Sequence, residues 1–259
     1  MADLFDMELR AWRRDRAFRS GPELFLYERA FAECLDRLGI VQRRFRTALL
    51  IGCPDAGWPE RLREFAETVD IFDPGEGFAK AAGGGTIVED RFETDIGRYD
   101  LCLAIGTLDT VNDLPQALLR IRAALAADAF FLGTLSGGDT LPQLRSAMRA
   151  ADQADGVAVP HVHPRIEAAA LAGLLAAAGF ANPVVDVDRV RASYEQLPRL
   201  VADLRAMGAT NVLTQRSRRS LSKRAWAAAR AAFAAAAEDG RTTETFEILH
   251  FAAWTPHQG

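Results

Sequence analysis

Residues 49–58 read "LLIGCPDAGW". An apolar run that begins at Thr47 stops at Gly52, and a loop of Cys, Pro, Asp, Ala and Gly follows. A short apolar run without alternation is what a strand covered on both faces shows, so 47–52 predicts a buried parallel strand feeding a loop. The same unit recurs downstream. "PERLREFAE" (59–67) predicts a helix with proline in its first turn, and "VDIFD" (69–73) a second strand ending at Asp73. "GGGTIVED" (83–90) predicts a glycine hinge, a third strand and an acidic end. "YDLCLAIG" (99–106) is a fourth strand, "NDLPQALLRIRAALA" (112–126) a helix and "AFFLGTL" (129–135) a fifth strand. Strands alternating with helices imply right-handed crossovers and a parallel sheet.

The flanks extend this unit. In "ELFLYERAFAECLDRL" (23–38), Leu24, Leu26, Tyr27, Phe31, Cys34, Leu35 and Leu38 fall near one side, which predicts a helix ended by Gly39. After the fifth strand come a helix-rich stretch (139–155) and a helix over 164–179 closed by Gly179 as a left-handed cap. "PVVDVDRV" (183–190) predicts a strand, 195–237 helix, and "TTETFEILHFAAW" (242–254) a last strand. No repeat or linker divides the chain, so 1–259 reads as one domain. It comprises a helical segment (1–45), a ligand-loop half (46–135), lid and substrate-side helices with the sixth strand (136–241) and the last strand (242–259).

The chain is long enough for a full core, and 49% hydrophobic with 25% charged residues fits a soluble globular protein. A net charge of −4 gives no global basic field for nucleic acid. Cys34, Cys53 and Cys102 form neither a disulfide framework nor a metal spacing, and a reducing cytoplasm is expected. No apolar run approaches the ~20 residues that span a bilayer. "MADLFDMELRAWRRDRAFRSG" (1–21) carries acids among its arginines and no apolar core, so it does not read as a targeting peptide. Its arginines read as a solvated helix face, or as a dock for an acidic partner. "RSRRSLSKR" (216–224) reads as a solvated helix start; an acidic protein surface or RNA are the alternatives, and no stacking aromatics interleave it.

In a doubly wound sheet ligands bind outside the carboxyl ends of the strands, which singles out Gly52, Asp73, Asp90 and Gly106. A carboxylate at the end of the second strand can accept both ribose hydroxyls of an adenosine, and an acid after the third can meet the adenine amino group. The plainer readings are a turn-forming Asp73 before Pro74 and Gly75, and Asp90 as a helix N-cap. A nicotinamide-binding protein would share the acid after the second strand.

Taken in order these residues resemble the class I S-adenosylmethionine-dependent methyltransferases. "YDLCLAIGTLDTVNDLPQALLRIRAALAADAFFLGTLSGGDTLPQLR" is similar to the fourth-to-fifth-strand stretch of one group among them. That group contains the malonyl-carrier-protein methyltransferase of biotin synthesis and the mitochondrial complex I assembly factor of methyltransferase type. "GGDTL" (137–141), "PHVHP" (160–164), "LLAAAGF" (174–180) and "LVADLRAMGATN" (200–211) resemble the assembly factor most, and "LFDMELR" and "FLYERAFAECLDRL" fit the same group. The resemblance implies a seven-stranded, mostly parallel Rossmann-like sheet with an antiparallel last strand and helical lids. It implies S-adenosylmethionine as cofactor, held around Gly52, Cys53, Asp55, Asp73, Pro74, Glu89, Asp90, Ile105 and Gly106. For the assembly factor it implies a respiratory-complex subunit as partner, a substrate arginine on it, and hydroxylation rather than methylation.

The loop departs from the family pattern. Leu50 stands where an acid is expected, Pro54 and Ala56 where the second and third glycines are, and Asp109 and Thr110 replace the usual "HW" pair. Leucine cannot hold an ammonium group, proline removes a backbone donor, and alanine adds a β-carbon at ~1–2 kcal/mol. The sum is on the order of a hundredfold in affinity, so weakened or absent cofactor binding is expected. Substrate-side candidates are Asp109, Asp139, Thr140, His161, His163 and Tyr194. Asp139 and Thr140 also read as the N-cap region of a lid helix, and His161 and His163 as a turn stiffened by Pro160 and Pro164. No metal ligand set or catalytic residue is assigned, and Cys53 reads as a packed residue or a reactive thiol. An enzyme acting on a protein side chain and a non-catalytic scaffold of the same fold both stand open.

Overall fold

The structure is a computed structural model that describes residues 3–257. Two helices lead, α1 (Met7–Ser20) and α2 (Phe25–Val41), and the first strand follows, β1 (Phe45–Ile51). Next come α3 (Trp58–Leu62), β2 (Ala66–Asp73), α4 (Glu76–Ala81), β3 (Gly85–Thr86), β4 (Tyr99–Ile105), α5 (Leu114–Ala124) and β5 (Leu125–Ser136). The second half holds α6 (Pro142–Asp155), α7 (Ala168–Ala177), β6 (Ala181–Tyr194), α8 (Leu197–Ala206), α9 (Lys223–Ala235) and β7 (Thr242–Trp254).

The strands form one seven-stranded sheet in the order β3-β2-β1-β4-β5-β7-β6. β1 lies parallel between β2 and β4, with Leu50 level with Ile71 on one side and Leu103 on the other. β7 inserts antiparallel between β5 and β6. Apolar residues cover both faces. Leu49, Ile51, Cys102, Ala104 and Phe131 pack under α5 and α7, while Ala48, Leu50, Leu101, Leu103 and Leu132 pack under α2. This double burial is why 47–52 is uninterruptedly apolar.

Several boundaries differ from expectation. α2 runs through Gly39 and stops at Val41, where Gln42 turns left-handed at φ 52°. The helix expected over 59–67 ends at Leu62, because Ala66 already pairs with Phe45 in the sheet. The third strand is two residues long, since exposed glycines give it no face to bury. The helix expected over 164–179 starts at Ala168, and Gly179 follows it at φ 86°. The stretch 195–237 is two helices, with 207–222 outside both. That connection is held from outside: Asp6 and Thr214 donate N–H bonds to Val212 and Leu4, and Val212 N–H donates to His163. No described helix is long and apolar enough to cross a membrane.

Candidate functional site

The carboxyl ends of β1, β2 and β4 converge where the sequence places a ligand loop. Gly52 turns out of β1 at φ 82°, and a β-carbon there would lie 2.4 Å from the Ile105 carbonyl and 2.6 Å from the Thr107 methyl group. Only glycine fits. Elsewhere the loop is not a glycine loop: Leu50 is buried in the core, and Ala56 is exposed with no positive φ. The β-carbon of Ala56 therefore strains nothing, contrary to expectation. Cys53 is buried, its thiol donates to the Asp55 carbonyl at 3.2 Å, and burial first, then the nearby Asp73 charge, pushes it up to about 12. It is a packed residue, not a thiolate nucleophile.

Asp73 ends β2 fully buried, with four hydrogen bonds. Cys53 N–H donates to Oδ2 at 2.9 Å, and Gly75 N–H to Oδ1 at 2.8 Å, the turn-forming bond expected of this residue. The other two come from α1: Arg14 Nε donates to Oδ1 at 2.8 Å and Nη2 to Oδ2 at 2.5 Å. Glu89, in the short turn after β3, is equally buried and receives Arg10 Nη1 on Oε2 and Nη2 on Oε1, both at 2.7 Å. Arg10 Nη2 also donates to the Thr107 carbonyl at 2.8 Å. Burial works against both guanidinium charges. Asp73 and Glu89 override it, so Arg14 and Arg10 sit above their ordinary values. These two arginines were expected on a solvated face or against an acidic partner. Both are instead inside the cleft, because an i, i+4 pair shares one face of a helix and that face meets two buried carboxylates.

The other acid of the third-strand turn faces away. Asp90 Oδ2 accepts the Asp113 N–H at 3.2 Å, and Asp113, not Asp90, caps α5. Pro74 is buried beside Asp73, and Ile105 and Gly106 end β4, with Tyr27 packed over Gly106.

Toward β5 and β7 the cleft continues as a cavity of about 100 Å³, lined among others by Tyr27, Thr107, Thr134, Ser136, His163 and Arg165. Asp109 lies on it, paired with Arg165. His163 is buried; its Nε2 accepts the Val212 N–H at 2.9 Å, its ring meets Phe5 edge-on at 5.4 Å, and burial, helped by Arg165, lowers it to about 3. It is a neutral imidazole at physiological pH. His161 points elsewhere, to Asp152 at 2.7 Å. Thr140 Oγ1 bonds the Glu247 backbone, and Asp139 is exposed against Arg189 at 3.2 Å. Neither caps α6. Glu244 of β7 does, accepting the Gln143 and Leu144 N–H groups at 3.2 and 2.8 Å. Tyr194 packs among the α6, α8 and α9 side chains, off the cavity. Of the six substrate-side candidates, Asp109, Thr140 and His163 share the cavity; Asp139, His161 and Tyr194 do not. Among the described residues no group of three His, Cys, Asp or Glu could hold a metal.

A curated mouse (Mus musculus) protein, the mitochondrial arginine-hydroxylase NDUFAF5, is 31% identical over 98% of the chain and 78% of its own length. The chain belongs to the NDUFAF5 arginine-hydroxylase family. Malonyl-[acyl-carrier protein] O-methyltransferase of Laribacter hongkongensis is 33% identical over 62% of the chain and 52% of its own length. No protein-family profile matches. The sheet order is that of the methyltransferases: N-methyltransferase NodS of Bradyrhizobium japonicum, solved with S-adenosyl-L-homocysteine, aligns over 96% of this chain and 99% of its own at TM-score 0.53 and 14% identity. The seven-stranded Rossmann-like fold and the family resemblance both hold.

The fold thus implies S-adenosylmethionine, and the acids at the end of β2 and after β3 are the groups against which that fit is tested. Asp73, the carboxylate expected to take a ribose, already holds a bidentate guanidinium, and so does Glu89, which stands in the cleft where Asp90 was expected to meet an adenine. Arg10, Arg14, Arg165 and Glu247 are the site residues that sequence reasoning missed. For the first two a faint sign existed: Arg10, Arg14 and Ala17 fall on one helical face, and a small residue there marks a close approach.

Proposed function

We propose that this chain works in the assembly of a respiratory complex, presenting its cleft to a protein side chain, and that it holds no S-adenosylmethionine in the conformation described. The observation that carries the second half is Arg14 on Asp73. A ribose diol and this guanidinium need the same two oxygens, and a carboxylate with four donors has no room for two more. Leu50 and Pro54, buried where an acid and a backbone donor would serve the methionine half, add to it. A protein side chain as target is supported by relatives named arginine-hydroxylases, and the assembly role by the resemblance of 137–141, 160–164, 174–180 and 200–211 to the assembly factor. Three buried free thiols fit a reducing compartment such as the cytoplasm.

A second reading, an S-adenosylmethionine-dependent enzyme acting on a protein side chain, is favoured by one observation. Asp73 keeps two bonds from the backbone of its own site, from Cys53 and Gly75, as a working ribose acid would. Calorimetric titration and thermal shift with S-adenosylmethionine and S-adenosylhomocysteine separate the two. No heat and no stabilisation at millimolar ligand supports a cleft without cofactor; micromolar binding by the unaltered protein rules that reading out. Affinity capture from the native host tests the assembly role, which falls when no respiratory-complex subunit is recovered.

A further inference from the structure

We infer that α1 is a displaceable self-ligand of the nucleoside site: Arg14 and Arg10 hold the places of a ribose and a base, and withdrawal of α1 opens a nucleoside-binding cleft. This rests on the reading that the cleft is closed in the conformation described, and adds that the closure is reversible.

The seat is built for the helix. Gly75 has an ordinary backbone conformation, φ −97° and ψ 128°, so any residue could serve the chain there. A β-carbon on it would lie 2.8 Å from Arg14 Cβ, so glycine is needed for α1 and not for the turn. Asp15 of α1 accepts the Gly77 N–H at 2.9 Å, a further fixed point between helix and seat.

The attachment is nevertheless of a kind that can let go. α1 buries Arg10, Arg14 and Ala17, and leaves Trp12 53% and Phe18 40% exposed. Beside the buried Ala17, its apolar contacts are confined to Phe18 edge-on to Phe78 at 5.3 Å and to Met7 and Leu9 against Phe5, Val212 and Leu213, and buried ion pairs offset most of their attraction by desolvation. The helix ends at Gly21, at φ 86° with nothing within 4 Å of a β-carbon there, an unobstructed pivot. When Arg14 leaves, Asp73 does not lose its orientation. Cys53 and Gly75 continue to donate to its two oxygens, one each, and water or a diol takes the vacated positions. Two parallel N–H donors 2.8 and 2.5 Å from the two oxygens are replaced by two O–H donors of a vicinal diol, with the same stoichiometry and direction.

The test evicts α1 by two unrelated routes. Arg10→Ala with Arg14→Ala removes the guanidinium groups. Gly75→Ala leaves all four charged residues in place and crowds Arg14 Cβ off its seat, which guards against a double variant that fails to fold. Each protein is titrated with S-adenosylhomocysteine, and amide exchange is followed over residues 7–20 with circular dichroism as the check of folding. Both routes are expected to strip protection from α1 and to tighten S-adenosylhomocysteine binding at least tenfold over the unaltered protein. Asp73→Ala added to Gly75→Ala is expected to abolish that gain. Folded variants with α1 released and no gain in binding overturn the inference while leaving the closed-cleft reading intact. Micromolar binding by the unaltered protein with α1 still protected overturns the closed-cleft reading and this inference together.

Discussion

α1 and α2 are neighbours in the chain, 14 and 17 residues long, joined by four residues, and they are held by opposite physics. α2 buries Ala30, Phe31, Cys34 and Leu38 against β1 and β4, with Phe31 stacked on Trp58 at 4.2 Å. α1 buries two arginines and an alanine against two carboxylates. One contact is non-directional and scales with area; the other is directional, and each member pays desolvation before it gains attraction. The difference teaches where a fold ends and a site begins. α2 is part of the core, whereas α1 rests in the cleft as a ligand would.

That comparison breaks most sharply at Phe31. Phe31→Ala removes a fully buried ring from the centre of the α2 face and is expected to cost ~3–5 kcal/mol of global stability in urea denaturation. A loss below about 1 kcal/mol would mean that α2, like α1, is a dispensable cover. Arg14→Ala is the counterpart. In a rigid interior, removing one member of a buried pair costs ~3–5 kcal/mol because the other charge is stranded. Here α1 can lift and let water reach Asp73, so the expected cost is under about 2 kcal/mol, with amide protection lost over residues 7–20 alone. A full-sized global loss would make α1 a structural helix.

What the sequence disclosed divides along the same line. The strand runs and the crossovers were legible because burial on both faces writes itself into local composition, whereas of the two acids after the third strand the sequence favoured Asp90 and the structure buries Glu89. Leu49, Leu50 and Ile51 must all be apolar, whatever the rest of the chain does. β3 was overextended because "TIVED" has strand-like residues while the two that pair, Gly85 and Thr86, are exposed. The helical reading of 207–222 failed because Gly208 turns at φ 70° and the segment takes its partners from residues 4–6 and 163. The plug was invisible for the same reason. Arg14 and Asp73 are 59 positions apart, Arg10 and Glu89 79, and nothing local separates an arginine aimed at water from one aimed at a buried acid.

Acid gives a graded way to loosen the front of α1. His163 faces Phe5, the Val212 N–H, Arg165, Asp109, Arg13 and Arg145, and stays neutral down to about 3. In the unfolded chain it protonates near 6.5. Between those values the unfolded state binds the extra proton, so stability falls as pH drops from 6.5 toward 3 and is unaffected by this group above 6.5. At pH 5.5 one such proton amounts to about 1.4 kcal/mol. His163→Gln, whose amide oxygen can still accept from Val212, is expected to flatten the acid limb of stability by about that much. An unchanged limb would place the acid sensitivity elsewhere.

The smallest effect isolates burial from chemistry. Arg29 grips Asp188 with the same fork as Arg14 on Asp73, Nε to Oδ2 at 2.6 Å and Nη2 to Oδ1 at 3.1 Å, but the Arg29 side chain is 57% exposed against 6% for Arg14. Solvent screens the surface pair, and ordering two long side chains offsets what remains. Arg29→Gln is therefore expected to cost about 0.5 kcal/mol or less in low salt and nothing measurable at 1 M, where charges are screened within ~3 Å. Arg14→Ala should keep its effect on α1 protection at both ionic strengths, because the cleft excludes the salt. Equal salt sensitivity of the two would show that the cleft is already wet and that burial is not what makes α1 its occupant.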